Sequence, residues 1–146
     1  MINIEFTGTK SDKLKTFITD ACEFYMKQLG FRRRKRQLDI FINIGKEEDL
    51  LGLCEFNGDH YWPEISIHIN RDDNKEEMLK TLAHELTHAK QFLRRELVQK
   101  RDGNMYWHGV QSDKEEWEDE AYIMEEKLYN EYVNERTRQT TSDIRS

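Results

Sequence analysis

Proline occurs once, at Pro63, and cysteine twice, at Cys22 and Cys54. With that single proline and seven scattered glycines, the sequence holds no Pro/Gly-rich linker and no collagen-like repeat, so no domain boundary is expected. The two cysteines stand 32 residues apart without a CxxC pair, which excludes a zinc ribbon of four thiolates and argues against a disulfide scaffold. Both are expected to be ordinary buried thiols. Nowhere do about 18 apolar residues follow one another, so no membrane-spanning helix is expected. The opening Met1-Ile2-Asn3-Ile4-Glu5 lacks the basic and apolar regions of a signal peptide. The expected compartment is therefore cytoplasmic.

What is abundant is charge: 36% of the 146 residues, with 29 Asp+Glu against 23 Lys+Arg and a net charge of -6. An acidic balance argues against nonspecific nucleic-acid binding by the surface as a whole. Arg32, Arg33, Arg34, Lys35 and Arg36 form a local basic block, read as a solvated connection between elements, with contact to a phosphate or acidic partner as the alternative. Three Trp, six Tyr and seven Phe supply bulk for one modest core.

Periodicity then orders the chain. Leu14, Phe17, Ile18, Ala21, Cys22, Tyr25 and Leu29 recur at helical spacing, and Gly30 stands where a C-terminal glycine cap belongs. Leu38, Ile40, Ile42 and Ile44 alternate as one face of a strand; Leu51 to Phe56 reads as a second strand, Asn57-Gly58-Asp59 as a turn, and Ile65, Ile67 and Ile69 as a third strand's inner face. Asn74 with Glu77 forms a capping-box signal for a helix patterned from Met78 to Leu97. After an aromatic, glycine-bounded loop at 102–109, Ser112 with Glu115 suggests another cap, and Trp117, Ala121, Met124 and Leu128 form the stripe of a last helix. Residues 136–146 are apolar only at Ile144 and are expected to be a disordered tail after a single domain spanning 1–135. The fold class expected is α+β: an N-terminal helix, a small, mostly antiparallel sheet of three to four strands, and two helices.

His84-Glu85-Leu86-Thr87-His88 is an HExxH sequence inside the most regular helix. At 100° per residue the two imidazoles lie about 40° apart, opposite an aliphatic face of Leu82, Leu86, Ala89 and Leu93, and can chelate one ion. Glu85 projects off that axis, placed to hold a water on the metal. A catalytic zinc needs a third protein ligand and an open position. The HExxHxxGxxH arrangement fails at Gln91 and Arg94. A glutamate of the last helix is the alternative. With Trp117 at 0°, Glu120 falls at about -60°, closest to the buried stripe, Glu118 at about 100° and Glu116 at about -100°.

The HELTH helix followed by Trp117-Glu118-Asp119-Glu120-Ala121 resembles small gluzincin-type metallopeptidases, in detail the SprT-like and ImmA/IrrE-like minimal zincins, including phage-encoded ones, over about residues 65 to 130. The resemblance implies a minimal-zincin fold, one Zn2+ per chain held by His84, His88 and Glu120, Glu85 as general base, and a peptide or protein substrate. Glu116 and Glu118 are the alternative third ligands or partners of a histidine N–H. The cysteine zinc ribbon common at the C-terminus of SprT-like proteins is missing here, as is a helix-turn-helix partner domain, so activity on DNA-bound protein does not carry over. His108 is a rival ligand or a donor to the oxyanion, Tyr106 a second such donor, and Trp107 a pocket wall. His60 and His68 are read as surface histidines. Zinc peptidase is the leading expectation; a non-catalytic zinc module with regulatory or binding duties is the second, and a nucleic-acid binder through the basic block the third.

Overall fold

Alternating aliphatics build the sheet. The structure, a computed structural model, describes residues 2–31, 37–46, 54–58 and 62–145. Its strands are β1 (Ile2–Thr7), β2 (Leu38–Gly45), β3 (Cys54–Gly58) and β4 (Pro63–Asn70), followed by three short ones, β5 (Leu97–Gln99), β6 (Met105–Trp107) and β7 (Val110–Gln111). Its helices are α1 (Asp12–Gln28), α2 (Lys75–Leu93) and α3 (Glu116–Arg145). The class is α+β. Leu38, Ile40, Ile42, Ile44, Ile65, Ile67 and Ile69 all point to one face and are at most 2% exposed. The intervening positions, among them His68, lie half-buried on the other face.

Strand order is β1-β2-β4-β3, with β1/β2 and β2/β4 parallel and only β3/β4 antiparallel. The expectation of a mostly antiparallel sheet is thus corrected. α1 is a crossover between β1 and β2, and such a crossover delivers parallel strands. The short β1, in which Ile2, Ile4 and Phe6 alternate over six residues, went unread in the sequence. Gly8 ends it with φ +85°, and a Cβ there would lie 1.8 Å from the Ile44 carbonyl oxygen, so the two chains can meet only at a glycine. β3 continues through Asn57 and Gly58, where a turn was expected. Leu51 to Leu53, Asp59, His60, the Cys54 thiol and the block Arg32, Arg33, Arg34, Lys35 and Arg36 lie outside the described residues.

Ser11 caps α1 by accepting from the Leu14 N–H at 3.1 Å, and Gly30 takes the left-handed conformation expected of it, φ +87°. The Arg94 guanidinium donates to the freed Leu29 carbonyl at 2.8 Å. Cys22 is fully buried, and burial together with the charge of Glu23 pushes its thiol up to about 12. Asn74 caps α2 as predicted, accepting from the Glu77 N–H at 2.8 Å. α2 ends at Leu93, earlier than the pattern to Leu97 suggests, because Arg95 turns left-handed (φ 58°) and sends buried Leu97 into β5.

The segment read as a loop, 102–109, holds β6 and the turns on either side of it, within a small antiparallel meander β5-β6-β7. α3 begins at Glu116, after left-handed Glu115; Ser112 accepts instead from Lys114 N–H in a local turn at 3.2 Å. Trp117, Ala121, Leu128 and Tyr132 are its buried stripe. The tail expected to be disordered is the continuation of α3 as far as Arg145. No glycine or proline interrupts it, and the hydroxyls of Thr137, Thr140 and Thr141 each return to the carbonyl four residues back at 3.0 Å. α1 and α2 cover the aliphatic face of the sheet, and α3 packs along α2. Among the described residues no helix is long and apolar enough to cross a membrane.

Candidate metal centre

One turn of α2 separates His84 from His88. Leu82, Leu86 and Ala89 anchor the opposite face of the helix in the core at 0% exposure, which turns both imidazoles toward α3. The rings stand edge to face with centroids 4.9 Å apart. Glu85 is buried, its Oε1 4.0 Å from His84 Nε2. One ligand atom from each of His84, Glu85 and His88 falls within 4.8 Å of the others.

α3 supplies the carboxylates. Glu118 faces both Nε2 atoms: its Oε2 is 3.4 Å from His84 Nε2, and its Oε1 meets His88 Nε2. Two turns on, Glu125 Oε1 lies 2.9 Å from His84 Nδ1. The matching partner of His88 Nδ1 is Gln91 Oε1, also at 2.9 Å and from the next turn of α2. The amide nitrogen of Gln91 donates to the Trp117 carbonyl at 3.0 Å and to Glu120 Oε1 at 3.1 Å.

Glu120, the carboxylate expected beside the metal, sits one step removed. It accepts from Lys90 Nζ at 2.9 Å as well as from Gln91, and Lys90 also pairs with Glu96 at 3.0 Å. Partial burial works to raise its carboxyl, but the hydrogen bonds from Lys90 and Gln91 and the charges of Lys90 and His108 hold it below the ordinary range. The helical wheel selected Glu120 for its nearness to the buried stripe. The imidazoles, however, flank the α2–α3 contact, so the carboxylate that meets them stands about 100° off that stripe, where Glu118 is, with Glu125 at about 80°. Glu116 opens α3 about 160° round from Glu118.

His108 and Tyr106 belong to the meander. Trp107 pairs with Val110, leaving His108 and Gly109 as a two-residue hairpin turn with φ of 50° and 84°, the conformation that matches strand twist. The exposed His108 ring packs on Trp107, centroids 4.4 Å apart, and Lys100 Nζ covers the Tyr106 ring at 3.9 Å. Neither is brought into the His84–Glu85–His88 cluster.

Sequence reasoning missed Gln91, Glu125 and Tyr122, whose ring centroid is 4.8 Å from that of His84 while 60% of the residue stays exposed. Glu118, Tyr122 and Glu125 at i, i+4 and i+7 form a readable helical stripe. Gln91 carries no signal beyond its place three residues after a histidine.

The donor set suits a cation. Each Nδ1 faces an oxygen of Glu125 or Gln91 and each Nε2 an oxygen of Glu118, so every ring nitrogen has an acceptor beside it. With the protons on the Nδ1 atoms, the Nε2 lone pairs would meet the Glu118 carboxylate, an arrangement that a proton or a positive ion between them relieves. Desolvation by burial lowers the His88 pKa despite its hydrogen bond to Gln91 Oε1 and the charge of Glu118, and the neighbouring His84 acts in the same direction as burial. Two imidazole nitrogens and a carboxylate oxygen are ligand types zinc takes, and the outward Nδ1 partners are those that metal-binding histidines ordinarily have. No family model matches the chain, nor does any curated protein or any solved structure.

Proposed function

We propose that this chain is a zinc-dependent peptidase, with His84, His88 and Glu118 as the protein ligands and Glu85 as the general base. The observation that carries the reading is Glu118 facing both Nε2 atoms while Glu125 and Gln91 hold both Nδ1 atoms back. Zinc, when bound, lowers the pKa of a water toward about 7 and polarises a peptide carbonyl. Glu85 takes the proton of the attacking water and returns it to the departing amine; its burial beside His84 keeps bulk water from competing for that proton. Glu118, as the third protein ligand, would neutralise part of the ion's positive charge. Tyr122 packs against the His84 ring and is 60% exposed, which leaves it accessible to a bound chain.

An extended substrate could add to a sheet edge, but β4, the strand leading into α2, is paired on both sides. The edge beside it is β3, antiparallel to β4 and held against α2 by the stacking of Phe56 on Phe92 at 5.6 Å. A peptide added to the edge of β3 that is unpaired among the described residues would gain main-chain hydrogen bonds.

A zinc that only ties α2 to α3 is the second reading, favoured by the contacts of His84, His88, Lys90 and Gln91 with α3, all in or beside the site. The substitution Glu85→Gln separates the two. The peptidase reading expects unchanged zinc content by elemental analysis, unchanged thermal unfolding, and loss of cleavage of an unfolded protein such as casein. Cleavage that survives the substitution, or wild-type protein that takes up no zinc, refutes it.

A further inference from the structure

A groove of about 460 Å³ opens where the three helices meet, a volume within the range of pockets that hold small molecules. α1 contributes Phe17 to it, α2 its first residues and Leu79, and α3 one side of its stretch from Tyr129 to Thr141. Leu79 and Tyr132 are buried in its wall, while Val133 is left 38% exposed beside them. Along α2, Lys80 stands between this groove and His84, tied to Glu126 of α3 at 3.1 Å. None of His84, Glu85, His88 and Glu118 lines the groove, so it is a separate place on the molecule.

Its charges decide what it can take. Three charged side chains line it, Lys75, Glu76 and Arg136, and two of them are matched. Glu76 lies 3.5 Å from Lys80, and Arg136 donates to Asp20 at 2.9 Å. Lys75 is not matched: among the described residues no carboxylate comes within ion-pair distance of its ammonium, which rests on the Phe17 ring, 5.1 Å from the centroid. Lys75 and Glu76 also open α2, so the positive end of that helix adds to the ammonium. At the other end, the hydroxyls of Thr137, Thr140 and Thr141 already donate to carbonyls of their own helix and can only accept. The groove therefore joins an apolar wall to one uncompensated positive end.

We propose that this groove is a binding site for a small carboxylate with an apolar body, a fatty or aromatic acid. The carboxylate pairs with Lys75 at the start of α2, and the body lies along Phe17, Leu79, Tyr129 and Val133 toward the threonines. A neutral molecule leaves Lys75 without a counter-charge, and an organic cation meets it as a like charge. The zinc reading does not enter.

The test is isothermal titration calorimetry of the full chain with decanoate, decanol and decyltrimethylammonium, each dilute enough to stay monomeric. One decanoate per chain is expected to bind, about tenfold or more tighter than either of the others, as a charge-assisted contact provides. Lys75→Met keeps the apolar stem of an exposed residue and should abolish that preference, weakening decanoate about tenfold and leaving decanol unchanged. Val133→Trp, also at an exposed position, should fill the groove and weaken decanoate by about tenfold or more. Equal binding of the three probes, decanoate binding undiminished in either variant, or no binding of decanoate by about 1 mM overturns the proposal. So does a wild-type dimer that Val133→Trp dissociates, because the groove is then filled by a second copy of the chain.

Discussion

Replacing Glu118 and Glu120 by alanine, one at a time, tests the geometry most directly, because the two carboxylates lie half a turn apart and only the first meets the imidazoles. Structural zinc sites with four protein ligands bind with about 10–16 kcal/mol, or about 2.5–4 kcal/mol per ligand. At 1.4 kcal/mol per tenfold, losing one ligand weakens zinc binding by about 10²–10³. Glu118→Ala removes the carboxylate that touches both Nε2 atoms and should show that loss. Glu120→Ala removes one of two acceptors from the Gln91 amide and leaves the Trp117 carbonyl in place, so about tenfold is expected, the low end for groups behind a ligand. Both side chains are about a third exposed, 32% and 33%, and so metal-free stability should change by no more than about 1 kcal/mol in either variant. Competition against a chelator of known zinc affinity reads the first effect, and thermal unfolding in excess chelator the second. Wild-type affinity in Glu118→Ala, or a larger loss in Glu120→Ala, would refute the ligand assignment.

Other expectations concern the scaffold. Leu86, fully buried opposite the histidines, should cost about 2–5 kcal/mol as Leu86→Ala and lower Tm by roughly 5–15 °C, measured without metal. Gly8→Ala should destabilise by more than about 1 kcal/mol in chemical denaturation, since φ of +85° and a contact of 1.8 Å to the Ile44 oxygen both oppose a side chain; a neutral result would show that β1 ends differently. Cys22, its thiol pushed up to about 12, has roughly one thiolate in ten thousand at pH 8, so it should resist alkylation in the folded protein and react once unfolded, as mass spectrometry of its peptide would show. Because the pKa is raised, the native thiol gains reactivity only as pH climbs well beyond the ordinary thiol range; prompt labelling at pH 8 would mean that α1 is not packed as described.

How legible was this in the residues themselves? The isoleucine alternations at 38–44 and 65–69 and the Asn74 cap specified β2, β4 and the start of α2, because each rests on a local rule. Sheet direction did not follow from them. It depends on recognising β1, and three apolar residues at the head of a chain are a weak signal. The motif placed His84, Glu85 and His88 together on one helix face, as the structure has them. The carboxylate opposite them depends on how α3 rolls against α2, which a helical wheel alone does not fix; hence the shift from Glu120 to Glu118. Gln91 is legible only once Trp117 and Glu120 are seen to hold its nitrogen. The continuation of α3 past Arg136 shows that a polar sequence free of glycine and proline can stay helical without an apolar stripe.

The 22 residues between α2 and α3, 94–115, supply no ligand atom to the His84–Glu85–His88 cluster; besides returning the chain from one helix to the other they anchor themselves through buried Leu97 and the Glu96–Lys90 pair. Their hairpin tip, His108-Gly109 with Val110 68% exposed beside it, faces solvent. The tip beyond the β6–β7 pairing supplies no ligand atom, so its length is under little constraint from the metal centre. A foreign loop grafted at the tip would swing free of the two helices, which makes that turn the natural address for an affinity handle or a fluorophore that leaves the histidines undisturbed.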